Sequence, residues 1–213
     1  MSQRFVSEAE RAALTPPPKT KVAPMTRFQQ HTSETAPPEG REALDRAQQE
    51  MGFAPNLLRV LAEAPAAAHA YLDLGSRLSQ SSLSPPEQQV VLLATSFENE
   101  CDYCMAAHST VAGMVGMDEA TQGAIRRGEE LPDARVNALW QFTRSVVRQR
   151  GRMSASDLAA FANAGFTRAN ILEVLLGVSM KTLSNYTNHL AYTPLDDAFE
   201  AQRWAPPTEA RTG

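Results

Sequence analysis

Only two cysteines occur in the 213 residues, and they stand three positions apart, at Cys101 and Cys104. So small and so close a pair excludes an extracellular disulfide framework, because a bridge across that spacing closes too short a loop to constrain the unfolded chain. A long apolar run is missing as well. Arg, Glu, Gln or Asp interrupts every hydrophobic stretch before it reaches the ~20 residues of a membrane span. The first 25 residues contain Glu8, Glu10 and the run Pro16-Pro17-Pro18, with no apolar signal-peptide core, so a cytoplasmic location is expected. Positive charge is not in excess either: a formal net charge of -4 gives no electrostatic case for a nucleic-acid partner. Finally, there is no pair of strand-like runs joined by a turn signal and no short fixed repeat.

What is present is helical. With 43% hydrophobic and 21% charged residues, the chain has the composition of an ordinary globular domain able to bury a core without staples. Residues 1–40 are rich in proline and poor in apolar periodicity. They read as an irregular arm, with a short helix around Ser7–Leu14, either disordered alone or wrapped on a partner subunit. From Arg41 to Trp204 the pattern is a succession of amphipathic helices punctuated by caps. Ala43, Leu44, Ala47 and Met51 share a face and Gly52 stops them. Pro55-Asn56 and Pro65 open the next two helices. Ser84-Pro85-Pro86-Glu87 is a capping-box start, and the apolar run Val90–Phe97 behind it predicts a central, buried helix. Asp118, Asp133, Ser154 and Thr167 begin further helices, the last running to Leu190. Residues 205–213 read as a loose tail. The expected fold class is all-α, a multi-helix bundle.

The chemistry concentrates in Glu98-Asn-Glu-Cys101-Asp-Tyr-Cys104-Met-Ala-Ala-His108. The spacing E-x2-C-x2-C-x3-H puts one carboxylate, two thiols and one imidazole on a single stripe if the segment is one helix. Three readings of the stripe stand at this point. The cysteines are two small core residues; or they hold zinc with His108 and a fourth ligand from Glu98, His69 or His189; or they are a redox couple. Structural zinc sites usually bring their second ligand pair from a separate knuckle, which consecutive helical turns fit poorly. For a redox couple the elements are in place. A helix start lowers the pKa of a thiol, an imidazole four residues on can move protons, and a second thiol is near enough to resolve an oxidised first one. Glu98 can orient His108 or take up a proton. His31 and His69 have no partner in sequence, and Met105, Met114 and Met117 read as core. Asn185-Tyr186-Thr187-Asn188-His189 reads first as a polar last turn, and alternatively as lining of the pocket or of an intersubunit contact.

The stretch Leu83–Met117, LSPPEQQVVLLATSFENECDYCMAAHSTVAGMVGM, resembles the core of the AhpD-like alkylhydroperoxidases of the carboxymuconolactone decarboxylase superfamily. The upstream HTSETAPPEGREALDRAQQEMGFAPNLLRVLAEAP is also similar to members of that superfamily, and the likeness extends over roughly residues 28–200. The resemblance implies an AhpD-like helical bundle and a homo-oligomer, a trimer or a multiple of one. It implies reduction of alkyl or hydrogen peroxides by the thiol pair, Cys104 attacking and Cys101 resolving. His108 and Glu98 complete the expected catalytic set. No prosthetic group or metal is called for, only a peroxide substrate and an external thiol or dithiol reductant. Two positions depart from the family pattern. Gln89 stands twelve residues before Cys101, where many members carry the relay glutamate, so Glu98 is the available substitute. Tyr103 lies between the cysteines, where many members have histidine. The alternatives are a decarboxylase acting on a cyclic lactone acid, in which the thiols would be idle, and a non-catalytic redox sensor.

Overall fold

A computed structural model describes residues 28–207. The helix expected around Ser7–Leu14 lies outside these residues. Nine α-helices occur among the described residues, with no strand: α1 (Pro38–Met51), α2 (Asn56–Leu61), α3 (Pro65–Ser79), α4 (Pro85–Glu98), α5 (Asp102–Met114), α6 (Glu119–Arg127), α7 (Ala134–Gln149), α8 (Ala155–Asn163) and α9 (Arg168–Ala191). A 3-10 segment, Asp197–Gln202, follows α9 and packs on α5. The all-α expectation holds. The first helix begins at Pro38, a few residues earlier than its apolar spacing suggests, because Pro37 and Pro38 set the φ of a helix start.

The starts are where the polar caps placed them. Asp118 and Asp133 accept from the backbone N–H groups of Thr121 and Val136, each at 2.8 Å. Ser154 and Thr167 form capping boxes with Asp157 and Asn170. The Glu87 carboxylate accepts from both the backbone N–H and the hydroxyl of Ser84, at 2.8 Å each. Each such cap satisfies donors that the helix itself leaves open.

Helix α4 is the axis of the molecule: every residue from Glu87 to Phe97 is buried, so the helix is enclosed on all sides by α5, α7 and α9. Two apolar clusters meet across it. One gathers Val91, Trp140, Phe142, Phe161 and Phe166 on the α7–α8 side; the other gathers Leu44, Leu58, Tyr71, Leu72, Cys101 and Cys104 on the α1–α3 side. Helix α9 approaches α4 so closely at Gly177 that a Cβ there would lie 2.6 Å from Val91 Cγ1. That contact fixes the depth at which the C-terminal half of α9 faces α5.

Of the methionines expected in the core, Met105 and Met117 are buried, but Met114 is 78% exposed. It is the last residue of α5, and its side chain faces solvent. His31 is buried, its Nδ1 3.0 Å from Thr35 O, while His69 is on the surface with Nε2 3.0 Å from Glu39 O. Both are packing or surface residues.

Candidate active site

The segment carrying the cysteines is two helices with a tight turn between them. Helix α4 ends at Glu98, Glu100 takes a left-handed φ of 52°, and Cys101 is the N-cap of α5. A reversal in so few residues needs that left-handed residue, and a non-glycine is held there only when its surroundings over-determine it. The surroundings are polar. Cys101 N–H donates to Ser96 O at 2.9 Å, Asn99 Nδ2 donates to Asn185 Oδ1 at 2.9 Å, and Asn185 Nδ2 reaches Ser96 Oγ at 3.3 Å. Asn185 of α9 thus holds the α4 end of the turn that presents the thiols.

The break divides the stripe. Cys101, Cys104 and His108 stay together on α5. Glu98 is on the preceding helix, and its carboxylate goes elsewhere: Oε1 accepts from Arg144 Nε at 2.5 Å and Oε2 from Arg148 Nε at 2.6 Å, both on α7. No hydrogen bond joins it to His108 or to either sulfur among the described residues. Its carboxylate stands at the C-terminus of α4, where the helix dipole is unfavourable to negative charge, and the two guanidiniums offset this.

The thiols are free and buried, Cys101 at 0% and Cys104 at 1% exposure. Helix α9 closes over them with three polar side chains. Asn188 Nδ2 donates to Cys104 Sγ at 3.2 Å and lies 3.9 Å from Cys101 Sγ, and Ser184 Oγ is 3.8 Å from Cys104 Sγ. The third is Lys181, which is fully buried. Its Nζ is 2.8 Å from His108 Nε2 and its charge acts on Cys104. On the far side of the ring, His108 Nδ1 is 3.0 Å from Gln89 Oε1 of α4.

These contacts fix the protons. An ammonium has only donors, so His108 Nε2 must accept from Lys181. The neutral ring then carries its hydrogen on Nδ1 and donates to the Gln89 carbonyl oxygen. Burial and, secondarily, the Lys181 charge hold the His108 pKa well below the ordinary 6.5, as that tautomer requires. For Cys104, burial opposes ionisation. The hydrogen bond from the Cys101 thiol, the Lys181 charge and the Lys181 and Ser184 hydrogen bonds outweigh it and hold the thiol well below its usual range. Cys101 moves the opposite way: its hydrogen bond to Cys104, then burial, keep it protonated. The Lys181 ammonium keeps its proton despite burial, chiefly because of the Cys104 charge, with smaller contributions from Tyr71 and Cys101. The two thiols are thus pushed in opposite directions, Cys104 towards the thiolate and Cys101 towards the thiol, beside a buried ammonium and a half-buried imidazole held towards its neutral form.

Among the described residues no group of three or more His, Cys, Asp or Glu side chains is disposed to hold a metal ion. The His108 lone pair that a metal would need is occupied by an ammonium. Tyr103, between the cysteines, turns away from them: its hydroxyl donates to Asp196 Oδ2 at 2.5 Å and accepts from Leu57 N–H at 3.3 Å, tying α5 to α2 and to the 3-10 segment. His189 is exposed beyond the last turn of the site.

Lys181 and Ser184 are site residues that no sequence motif marks, Asn185 and Asn188 read first as a polar last turn, and Gln89 stands out only as a missing carboxylate. One signal was available. The chain has three lysines, Lys19, Lys21 and Lys181, against seventeen arginines. A lone lysine between Val178 and Leu183, in the middle of the most apolar long helix, is out of place unless it is paired.

A model of the Carboxymuconolactone decarboxylase family matches residues 65–145, the segment from α3 into α7 that includes both cysteines and His108. No curated relative matches the chain. Among solved structures, the fold is shared with the alkylhydroperoxidase AhpD core of an uncharacterized peroxidase-related protein from Ralstonia eutropha JMP134, at a TM-score of 0.73 and 21% identity, covering 84% of this chain and 96% of that one. An uncharacterized peroxidase-related protein from Silicibacter sp. TM1040 gives 0.70 and 19%, covering 88% and 99%. A complex of a cysteine-to-alanine variant of the debrominase Bmp8 with 2,3,4-tribromopyrrole gives 0.66 and 14%, covering 78% and 89%. The segment that matches the Carboxymuconolactone decarboxylase family model is thus seated on the cysteine-bearing helices, and the chain shares the AhpD-like fold of these structures along most of its length.

Proposed function

We propose that the chain is a thiol-dependent peroxidase or disulfide oxidoreductase acting on alkyl or hydrogen peroxides, with Cys104 as nucleophile and Cys101 as resolving thiol. The observation that carries this reading is the asymmetry of the pair: Cys104 is surrounded by Asn188, Ser184, Lys181 and the Cys101 thiol, all positioned to stabilise a thiolate, whereas Cys101 retains its proton. The thiolate attacks the terminal oxygen of the peroxide. The S–O bond forms, the O–O bond breaks, and an alkoxide leaves and takes a proton. Cys101 then displaces the sulfenic hydroxyl as water and closes the disulfide, which an external dithiol reopens. Asn188 Oδ1, buried without a partner among the described residues, is a ready acceptor for the hydroperoxide O–H. His108 connects the dry cluster to solvent and moves protons. Glu98 contributes indirectly, by fixing the end of α4 against α7. A reducing compartment such as the cytoplasm suits a pair that must be reopened each cycle.

We also propose a homo-oligomer, a trimer or a multiple of one. Support comes from α9, which leaves Leu172, Leu175, Tyr186 and Leu190 exposed along one face, an apolar stripe that a second copy would cover. Sedimentation of the purified chain tests it. No helix among the described residues is long and apolar enough to cross a membrane.

The functional reading is tested by titrating free thiols before and after one equivalent of cumene hydroperoxide. Loss of both thiols, abolished in Cys104→Ser, supports it, and repeated turnover with a dithiol separates an enzyme from a sensor. Thiols that survive the peroxide overturn it. Because the fold is shared with a debrominase, a bromopyrrole belongs in the same screen, and a cyclic lactone acid tests the decarboxylase alternative.

A further inference from the structure

Among the described residues Lys181 is a cation with no carboxylate partner. It is fully buried on α9, and the groups facing it are Cys101, Cys104 and His108 of α5, Tyr71 of α3 and the neutral amide of Gln89 behind His108. None of the seven ion pairs among the described residues includes it. Lys181 Nζ bonds the His108 ring of the helix that carries the thiols, and the negative charge that chiefly holds its proton is that of Cys104. That charge vanishes when the two thiols close to a disulfide, and a buried ammonium left without an anion neutralises instead.

We propose that Lys181 is the catalytic acid of the dithiol site: it is the counter-ion of the Cys104 thiolate while the pair is reduced, and it surrenders its proton as the pair is oxidised, so that thiolate and ammonium disappear together. The step rests on the peroxide reading of the site. Cys104–S⁻ attacks ROOH; the sulfur is oxidised to Cys104–SOH and the peroxide reduced to RO⁻. Lys181–NH₃⁺ protonates RO⁻ to ROH and becomes the neutral amine, still hydrogen-bonded to His108. Cys101–SH and Cys104–SOH then condense to the disulfide and one water. The lysine regains its proton through the half-buried His108 when a dithiol reopens the bridge. In this cluster the ammonium takes the place of the carboxylate relay that Gln89 cannot provide. Lysine suits the task because it can release a proton inside a protein, whereas the arginines used elsewhere in this chain cannot.

The test is a proton count on the wild-type chain. The thiol–disulfide equilibrium with reduced and oxidised dithiothreitol is measured between about pH 6.5 and 8, where dithiothreitol stays largely protonated and a buried lysine without an anion can be neutral. Oxidised dithiothreitol takes up two protons on reduction. If the chain gives up two, one from Cys101 and one from Lys181, the equilibrium constant does not change with pH, while the reduced protein shows thiolate absorbance in the ultraviolet throughout. A constant that falls about tenfold per pH unit means that only one proton leaves, and overturns the proposal. Absence of the thiolate signal overturns it as well. Two variants separate charge from proton. Lys181→Arg is expected to keep the thiolate, to acquire the tenfold dependence and to consume cumene hydroperoxide at least tenfold more slowly. Lys181→Met is expected to lose the thiolate at neutral pH. If peroxide leaves the wild-type thiols intact while the dithiothreitol equilibrium behaves as expected, the peroxidase reading fails and the proton role of Lys181 stands.

Discussion

Glu98 separates two accounts of this site, and replacing it by glutamine decides between them. If its carboxylate is a proton relay, Glu98→Gln leaves the fold intact and stops peroxide chemistry. The contacts favour the reverse. The Glu98 side chain is only 9% exposed, and its Arg144 partner only 10%, so this half of the interaction is desolvated. Removing one partner of such a pair costs roughly 3–5 kcal/mol. Arg148 is 55% exposed, and its half is worth at most about 1 kcal/mol. Glutamine keeps one acceptor oxygen, and Arg144 retains its positions over the Phe97 ring at 5.0 Å and the Trp140 ring at 4.8 Å. Because part of the interaction survives, a loss of roughly 2–3 kcal/mol follows, just below the roughly 3–5 kcal/mol of removing a buried partner outright. For a chain of this size that lowers the melting temperature by about 4–12 °C. Thermal unfolding followed by circular dichroism reads the stability, and stopped-flow loss of thiols after a peroxide pulse reads the chemistry on the same sample. The expected result is a destabilised protein whose thiols react within about twofold of the wild-type rate. An unchanged melting temperature with reactivity down by tenfold or more would refute the structural assignment and return Glu98 to the proton path.

Three further outcomes are expected. Cys101→Ser should accumulate a sulfenic acid at Cys104 after one equivalent of peroxide, trapped by dimedone, because the nucleophile remains and the resolving thiol is gone. His108 is held neutral below its ordinary 6.5 by burial and by Lys181. The unfolded chain therefore binds more protons at this residue as pH falls, so its stabilising contribution is complete above about 6.5 and lost through the mildly acid range. Denaturant midpoints should drop between about pH 7 and 5, and drop less in His108→Gln. Gly177→Ala forces a Cβ to within 2.6 Å of Val91 Cγ1 and should cost about 1–3 kcal/mol, with the thiols more accessible to iodoacetamide as α9 is pushed off α4.

The fold was legible because its signals are local. Ser84, Asp118, Asp133, Ser154 and Thr167 cap helices in the structure as their positions before apolar runs predicted. The cap signal also decided that Val90–Phe97 is helical although its composition suits a strand. Met114 was misread because periodicity reports which face of a helix is apolar but not whether another element covers it at every position. The Asp197–Gln202 turn left no periodic signature, being too short to have one, and is held by Phe199 against Phe53 and Tyr103.

Half of the site was legible and half was not, for one physical reason. Cys101, Cys104 and His108 lie on a single helix, so their spacing carries their geometry. Lys181, Ser184 and Asn188 recur at intervals of three and four on α9, and that stripe is equally readable once it is sought. What the sequence does not contain is the crossing that lays one stripe on the other, set by Gly177 against Val91 and by Asn185 at the α4 end of the α4–α5 turn. Glu98 fails the converse test. Its spacing from Cys101 would continue the stripe if the helix continued, but the left-handed Glu100 turns the chain and delivers the carboxylate to α7. A polar side chain in a motif is therefore weaker evidence of a role than an ionisable one that burial should forbid. Glu98 has arginine partners that explain it without reference to the thiols, whereas Lys181 has, among the described residues, no carboxylate partner and sits between His108 and the thiols.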